Sequence, residues 1–376
     1  MTPADIVRAA AAAAGFEAVA FTAASPAASD GAFLSDWCSA GKAAGMGWLA
    51  RDPERRARPT ALMPEARTLI TLGVSYFEED TAPRPAGPAG RVARYAWGED
   101  YHAVIERRLG DVRDRLRLAF GPTVLSRPAV DIQPLLERAF ARRAGLGLVG
   151  KNTNLIRPGS GSFLFLADLL VNLELPPEGA VPQGCGACRR CQDACPTGAL
   201  DTPFVLDARL CVAYHTIENR GAIPRDLRPK IGRWVFGCDD CQDVCPFNAR
   251  AAAHRWPEFS ARRGPGPWLS LEDLLRLDSD EAFRVRFRGT SVLRAKRAGL
   301  ARNACVAAAN GGHAEALADL LDDRLRRDPE PVVREHAAWA LGRAGRVGRA
   351  RLDRAWTTET HPVVKEEIDR SLREAA

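Results

Sequence analysis

Eight cysteines are spaced in a way that could hold iron. Cys185, Cys188, Cys191 and Cys195 form a C-x2-C-x2-C-x3-C run closed by Pro196. Cys238, Cys241 and Cys245 repeat its later part, again with a proline, Pro246, behind the last thiol. Val235 stands where the second run would begin, and Cys211, 27 residues before Cys238, can replace that ligand if the segment between them folds back. Bacterial two-cluster ferredoxins bind [4Fe–4S] clusters with this spacing, and the last thiolate of each run crosses to the other cluster. The expected sets are Cys185, Cys188, Cys191 and Cys245 on one cluster, and Cys195, Cys211, Cys238 and Cys241 on the other. Structural zinc would also use C-x2-C pairs, but it leaves both x3-C-P endings without a reason. Disulfides suit short secreted chains rather than one with material for its own cores. Cys38 and Cys305 lie in apolar helical contexts and read as small core residues.

The elements that must position these thiols come on both sides. A chain of 376 residues holds two or three domains. The expected class is α+β: an α/β domain over 1–180, a ferredoxin-like domain with two clusters over 181–260, and helical HEAT-like repeats over 261–376. In the first domain the patterns predict helices over 3–14, 100–120 and 135–144, the last opened by Pro134. A helix-rich stretch spans 33–51, strands span 17–21 and 68–77, and 123–132 is extended. Prolines and glycines make 83–90 a loop. Segments 154–157 and 163–166 flank Pro158-Gly-Ser-Gly161 and predict a hairpin. Gly145-x-Gly147-x-x-Gly150 matches a dinucleotide fingerprint by letters only; it follows a helix, so it reads as a tight turn. In the tail, similar helices are expected to begin near Ala301, Val333 and Val364, 32 and 31 residues apart. Repeats of this kind bury their apolar faces only by stacking.

No apolar run reaches membrane-spanning length, since Asp168 interrupts 163–171. Oxygen-sensitive clusters, reduced thiols and an N-terminus without leader character predict a cytoplasmic protein. No dimer-forming stripe is evident, so a monomer is expected. The net charge of +6 is mostly arginine. Arg284, Arg286, Arg288, Arg294, Lys296, Arg297 and Arg302 form a tract suited to phosphates or to a merely solvated helix face.

Clusters of this type carry single electrons. A bare carrier needs only the cysteine stretch, yet roughly 180 residues precede it and 130 follow it, so an enzyme is expected. Three segments carry a resemblance: Asp131-Ile-Gln-Pro134-Leu-Leu-Glu137-Arg138 continuing to Gly150-Lys151-Asn152-Thr153, Tyr214-His-Thr-Ile-Glu218-Asn-Arg220-Gly221, and Trp234-Val-Phe-Gly-Cys238-Asp-Asp-Cys241. Together they resemble the epoxyqueuosine reductase family, from about Arg56 through the helical tail. The resemblance implies cobalamin as a second cofactor and tRNA carrying epoxyqueuosine as the substrate. It also implies two-electron reduction to queuosine as the reaction, with an external electron donor. Asp131 matches the family's acid, and a carboxyl beside a buried corrin would be raised by desolvation; without the resemblance it reads as a helix cap. The resemblance assigns cobalamin contacts to Arg56, Tyr95, Lys151, Asn152 and Thr153. Their plainer readings are a surface charge, a core aromatic and a polar turn. His215, Glu218 and Arg220 are expected at the tRNA with Arg294, Lys296 and Arg297; no feature marks a cobalt-ligating histidine, and His215, the nearest candidate, suits a hydrogen-bonding role as well. Three other classes compete: a dehalogenase-like corrinoid reductase of a small molecule, a non-catalytic electron-transfer protein, and an iron–sulfur protein binding nucleic acid structurally.

Overall fold

The computed structural model describes residues 1–81, 83, 85–182 and 184–374. Among them the strands run, in chain order, β1 (Ala18–Ala23), β2 (Thr68–Ser75), β3 (Ala89–Val92), β4 (Ser126–Ala129), β5 (Leu148–Val149), β6 (Leu155–Ile156), β7 (Leu164–Val171), β8 (Trp234–Phe236) and β9 (Trp268–Ser270). The chain gathers into two units, each assembled from separated stretches. Unit 1 takes Met1–Glu79, Glu99–Arg209 and Asp240–Ser260; unit 2 takes Asp80–Gly98, Leu210–Asp239 and Ala261–Ala376. The helical tail thus shares a unit with two earlier stretches, a grouping that three consecutive sequence domains do not contain.

Unit 1 is built on an antiparallel sheet of order β1-β2-β7-β4. β2 is buried along its whole length, which explains its continuous run of Leu69, Ile70, Leu72 and Val74. A strand covered on both faces has no reason to alternate. The helix Glu137–Arg143 packs on β1, β2 and β7, and the helix Tyr101–Phe120 on β4 and β7. The latter buries Ile105, Leu109, Val112 and Leu116, a stripe at helical spacing. Asp100 caps it, accepting the His102 N–H at 3.1 Å.

Two local expectations are corrected. The 154–157/163–166 hairpin does not form: β6 pairs with β5, and β7 runs between β2 and β4. Only Arg157 and Gly161 bridge across the turn. The third helix begins at Glu137 with Leu136 at the cap, so Pro134 lies outside it. The expected loop over 83–90 ends where β3 begins at Ala89; Arg84 within it lies outside the described residues.

Unit 2 joins a three-stranded sheet, order β8-β3-β9, to helices. Gly90 on β3 is required there, because a Cβ would stand 2.3 Å from Val235 Cγ1. One core runs from Val92 and Phe236 through Leu300 to Trp339 and Ile368. Helix Lys296–Asn310 packs on Pro331–Leu341, which packs on Pro362–Glu374, while Ala318–Arg327 and Gly345–Thr358 flank that row. Proline opens two of these helices, where its missing N–H is harmless. Ala301 lies inside Lys296–Asn310 rather than at its start.

Candidate active site and iron–sulfur centre

The two cysteine runs fold alike. The short helices Arg190–Asp193 and Asp240–Asp243 pack together in unit 1. Each x3-C ending closes with the same bond: Cys195 N–H donates to Gln192 O at 3.2 Å and Cys245 N–H to Gln242 O at 3.0 Å. Both glutamine side chains are buried and donate to backbone carbonyls: Gln192 Nε2 to Leu200 O at 2.9 Å in the loop that follows, and Gln242 Nε2 to Ser162 O at 3.1 Å, far earlier in the chain. Cys185, Cys188, Cys191 and Cys245 line one cavity of about 270 Å³. Burial and the neighbouring thiols push Cys191 up, and burial likewise raises Cys245. Four soft donors crowded around one cavity suit a cationic iron–sulfur core, which relieves the repulsion between thiolates. Of the other four cysteines, Cys195 and Cys241 belong to unit 1, and Cys211 and Cys238 to unit 2.

The turn after Gly150 braces this centre. Lys151 Nζ donates to Gly186 O at 2.7 Å and Cys188 O at 2.9 Å. Asn152, which is buried, donates to Cys241 O at 3.3 Å. Thr153 O accepts from Arg138 Nη1 at 2.7 Å. Arg138 belongs to the helix that follows Asp131, so one short turn links the cysteine cavity to the candidate acid.

Asp131 has a left-handed backbone, φ 52°, and an exposed side chain. Its Oδ2 accepts from Tyr101 Oη at 2.7 Å and lies 3.3 Å from His102 Nε2. His102 Nδ1 meets Asp100 Oδ1 at 2.7 Å. Tyr101 stacks on Phe165, with centroids 4.4 Å apart, which fixes the hydroxyl's direction. Burial opposes a charge on His102, but the hydrogen bonds and charges of Asp100 and Asp131 outweigh it and raise the imidazole to about 9. The bond from His102 is the largest influence on Asp131; with Tyr101 it overcomes burial and holds the carboxyl below its ordinary value. At neutral pH His102 therefore carries the proton and Asp131 is ionised. The capping reading is corrected, since Leu136 occupies the cap. Sequence reasoning passed over Tyr101, His102 and Glu137. The first two sit at a helix start 29–30 residues from Asp131, and no spacing rule connects them.

The other expected contacts divide. Arg56 lies over the Trp48 ring at 5.2 Å, and its carbonyl accepts the Leu136 N–H at 3.0 Å, next to the Asp131 loop. Tyr95 belongs to unit 2 and packs near Phe236, 6.0 Å between centroids. In unit 2, Glu218 grips Arg294 through bonds of 2.7 and 3.0 Å. Arg220 donates to Arg294 O at 2.8 Å and Ala295 O at 3.0 Å. Segment 215–220 and residues 294–296 therefore form one patch, with Lys296 exposed and His215 buried beside Asn219. Two members of the basic tract are not on the surface. Arg297 is buried in a two-pronged pair with Asp328, at 2.7 and 2.9 Å. Arg302 is buried and donates to carbonyls of Asn219 and Gly221 at 2.9 and 2.6 Å. Arg284, Arg286 and Arg288 are exposed.

Two stretches of the chain match known family models. Residues 56–131 match the family model for epoxyqueuosine reductase QueG, DUF1730, and residues 184–248 match the 4Fe-4S double cluster binding domain. The epoxyqueuosine reductase of Xanthomonas campestris is 40% identical over 320 residues, covering 84% of this chain and 89% of the relative. The chain belongs to the epoxyqueuosine reductase family. The Escherichia coli member is 37% identical over 301 residues, covering 79% of this chain and 78% of that one. Among solved structures, an epoxyqueuosine reductase with a tRNA-Tyr epoxyqueuosine-modified stem loop aligns at TM-score 0.91 with 31% identity, over 99% of this chain and 98% of that one. A Bacillus subtilis epoxyqueuosine reductase, with its catalytic Asp loop swung out of the active site, aligns at TM-score 0.90 with 31% identity, over 99% and 98%. As a member of this family the chain is an oxidoreductase of tRNA modification with two [4Fe–4S] clusters. Among the described residues, no helix is long and apolar enough to cross a membrane.

Proposed function

We propose that this chain reduces epoxyqueuosine at the wobble position of a tRNA to queuosine, with Asp131 delivering the proton to the departing oxygen. Removing the epoxide oxygen as water takes two electrons and two protons, one passed through Asp131 and one from solvent, and leaves a carbon–carbon double bond. When bound, the clusters and a cobalamin supply the electron pair, drawn singly from an external donor. The observation that carries the reading is Asp131 itself: an exposed carboxylate bonded to Tyr101 and to a His102 that is charged at neutral pH. His102 holds a proton that Asp131 can pass outward, and Tyr101 keeps the receiving oxygen aimed. Arg56 and the Lys151–Thr153 turn lie on the same unit as Asp131 and are the residues proposed to meet cobalamin. Both also have structural duties, so their replacement should disturb the loops as well as the cofactor.

The tail is read as a HEAT-like array. Glu218, Arg220, Arg294 and Lys296, together with exposed Arg284, Arg286 and Arg288, are proposed to face the RNA, most of them as phosphate contacts. The protein is read as a cytoplasmic monomer.

The test is anaerobic turnover of epoxyqueuosine-containing tRNA by protein reconstituted with iron, sulfide and cobalamin and supplied with a strong reductant. Queuosine is followed by mass spectrometry. Product only with cobalamin, and none from Asp131→Asn with full clusters and bound cobalamin, is the expected result. Undiminished turnover by that variant would overturn the proton assignment. No product from intact, cobalamin-loaded protein would favour a corrinoid reductase of small molecules.

A further inference from the structure

We propose that Glu137 is a positioning residue that holds the Asp131 loop in its working conformation by accepting the Asp131 backbone N–H. The inference rests on Asp131 being the proton-delivering group. Glu137 Oε1 lies 2.5 Å from Asp131 N. The loop needs such a latch. A non-glycine residue at φ 52° is held only where its surroundings over-determine it; Tyr101 and His102 tie the Asp131 side chain, and Glu137 ties its backbone. Besides Glu137, other bonds shape the turn, among them Val130 N–H to Gln133 Oε1 at 2.9 Å, Leu135 N–H to Gln133 O at 2.8 Å and Leu136 N–H to Arg56 O at 3.0 Å. Glu137 alone reaches from the packed helix Glu137–Arg143 back to Asp131.

A second observation concerns what lies beneath. Asp168 of β7 is fully buried; Thr71 Oγ1 donates to its Oδ1 at 2.6 Å, and its Oδ2 has no hydrogen-bond partner. Burial raises Asp168 to about 7. Burial also raises Glu137 well above the usual carboxylate range, and the charges of Asp168 and Asp131 add to the rise while Arg138 opposes it. Burial thus disfavours a charge on Glu137, which eases its approach to the ionised Asp131. A neutral acceptor is all the latch requires, so glutamine should serve in its place and alanine should not.

The experiment compares Glu137→Gln and Glu137→Ala in the reconstituted enzyme by hydrogen exchange of peptides spanning 130–136 and by steady-state turnover. Loss of one backbone hydrogen bond should raise exchange in this loop about tenfold in Glu137→Ala. Its kcat should fall by a similar factor with KM little changed, while Glu137→Gln stays within about threefold of the parent in both readouts. Unchanged exchange in Glu137→Ala overturns the proposal. So does loosening that extends into β2 and β7, or a Glu137→Gln protein as impaired as Glu137→Ala. Exchange reports the latch whether or not Asp131 delivers the proton, whereas turnover of Asp131→Asn tests that delivery separately.

Discussion

Replacing His102 with glutamine should cost stability at pH 6 and nothing above about pH 9.5. In the folded chain the imidazole lies between Asp100 Oδ1 at 2.7 Å and Asp131 Oδ2 at 3.3 Å, and it is raised from 6.5 to about 9. Taken in full, that shift is worth about 3 kcal/mol at ~1.4 kcal/mol per unit. The Asp131 side chain is 62% exposed, so water screens its share, and about 1.5–2 kcal/mol is the better figure. The sign follows from the direction of the shift. A group with a raised folded pKa contributes fully below its unfolded value, 6.5, and loses that contribution as pH rises through about 9. Urea unfolding of parent and His102→Gln, followed by tryptophan fluorescence from pH 6 to 9.5, should show a difference that closes across this window. Groups titrating alike in both proteins cancel. A difference that stays flat with pH would mean that His102 acts only by packing, and an imidazole NMR titration centred near 6.5 would refute the electrostatic argument directly.

Cys245→Ala should lower iron from about eight to about four atoms per chain, while Cys38→Ser keeps all eight; full iron in Cys245→Ala would break the assignment of that thiol to the first cavity. Asp328→Ala strands Arg297 and Arg324 in the interior without their shared carboxylate and should cost about 3–5 kcal/mol, measured by urea unfolding, without weakening tRNA binding by the folded fraction. The triple change Arg284→Ala, Arg286→Ala and Arg288→Ala should do the reverse: stability holds, while tRNA affinity drops and its log–log salt slope becomes shallower by about two or three. An unaltered slope would remove these arginines from the interface. Gly145→Ala adds a methyl at φ 80° whose carbon would lie 2.2 Å from Gly179 O. It should cost about 2 kcal/mol or more, and an unchanged melting temperature would contradict the reading of Gly145 as an obligatory turn.

Much of the molecule was legible because some chemistry is local in sequence. Iron fixes the distances between its thiolates, so the C-x2-C-x2-C-x3-C-P spacing announced clusters before any fold was known. Turn and helix rules work over a few residues, and they located the buried run of β2, the stripe of Tyr101–Phe120 and the helices beginning near Val333 and Val364. The errors share another cause. The segment at 163–166 suits pairing with 154–157 as well as with β2 by local criteria, and only the sheet's core chose β2. Arg297 looks like part of a basic surface until Asp328, 31 residues on, meets it in the interior. Asp131 looks like a helix cap until Leu136 is found at the cap and Tyr101 and His102 are brought against the carboxylate. The amino-acid sequence by itself determined which groups were present and how the cofactor thiolates were spaced. Tertiary structure decided which groups are charged, because ionisation answers to distance and burial in space, and neither is written along the chain.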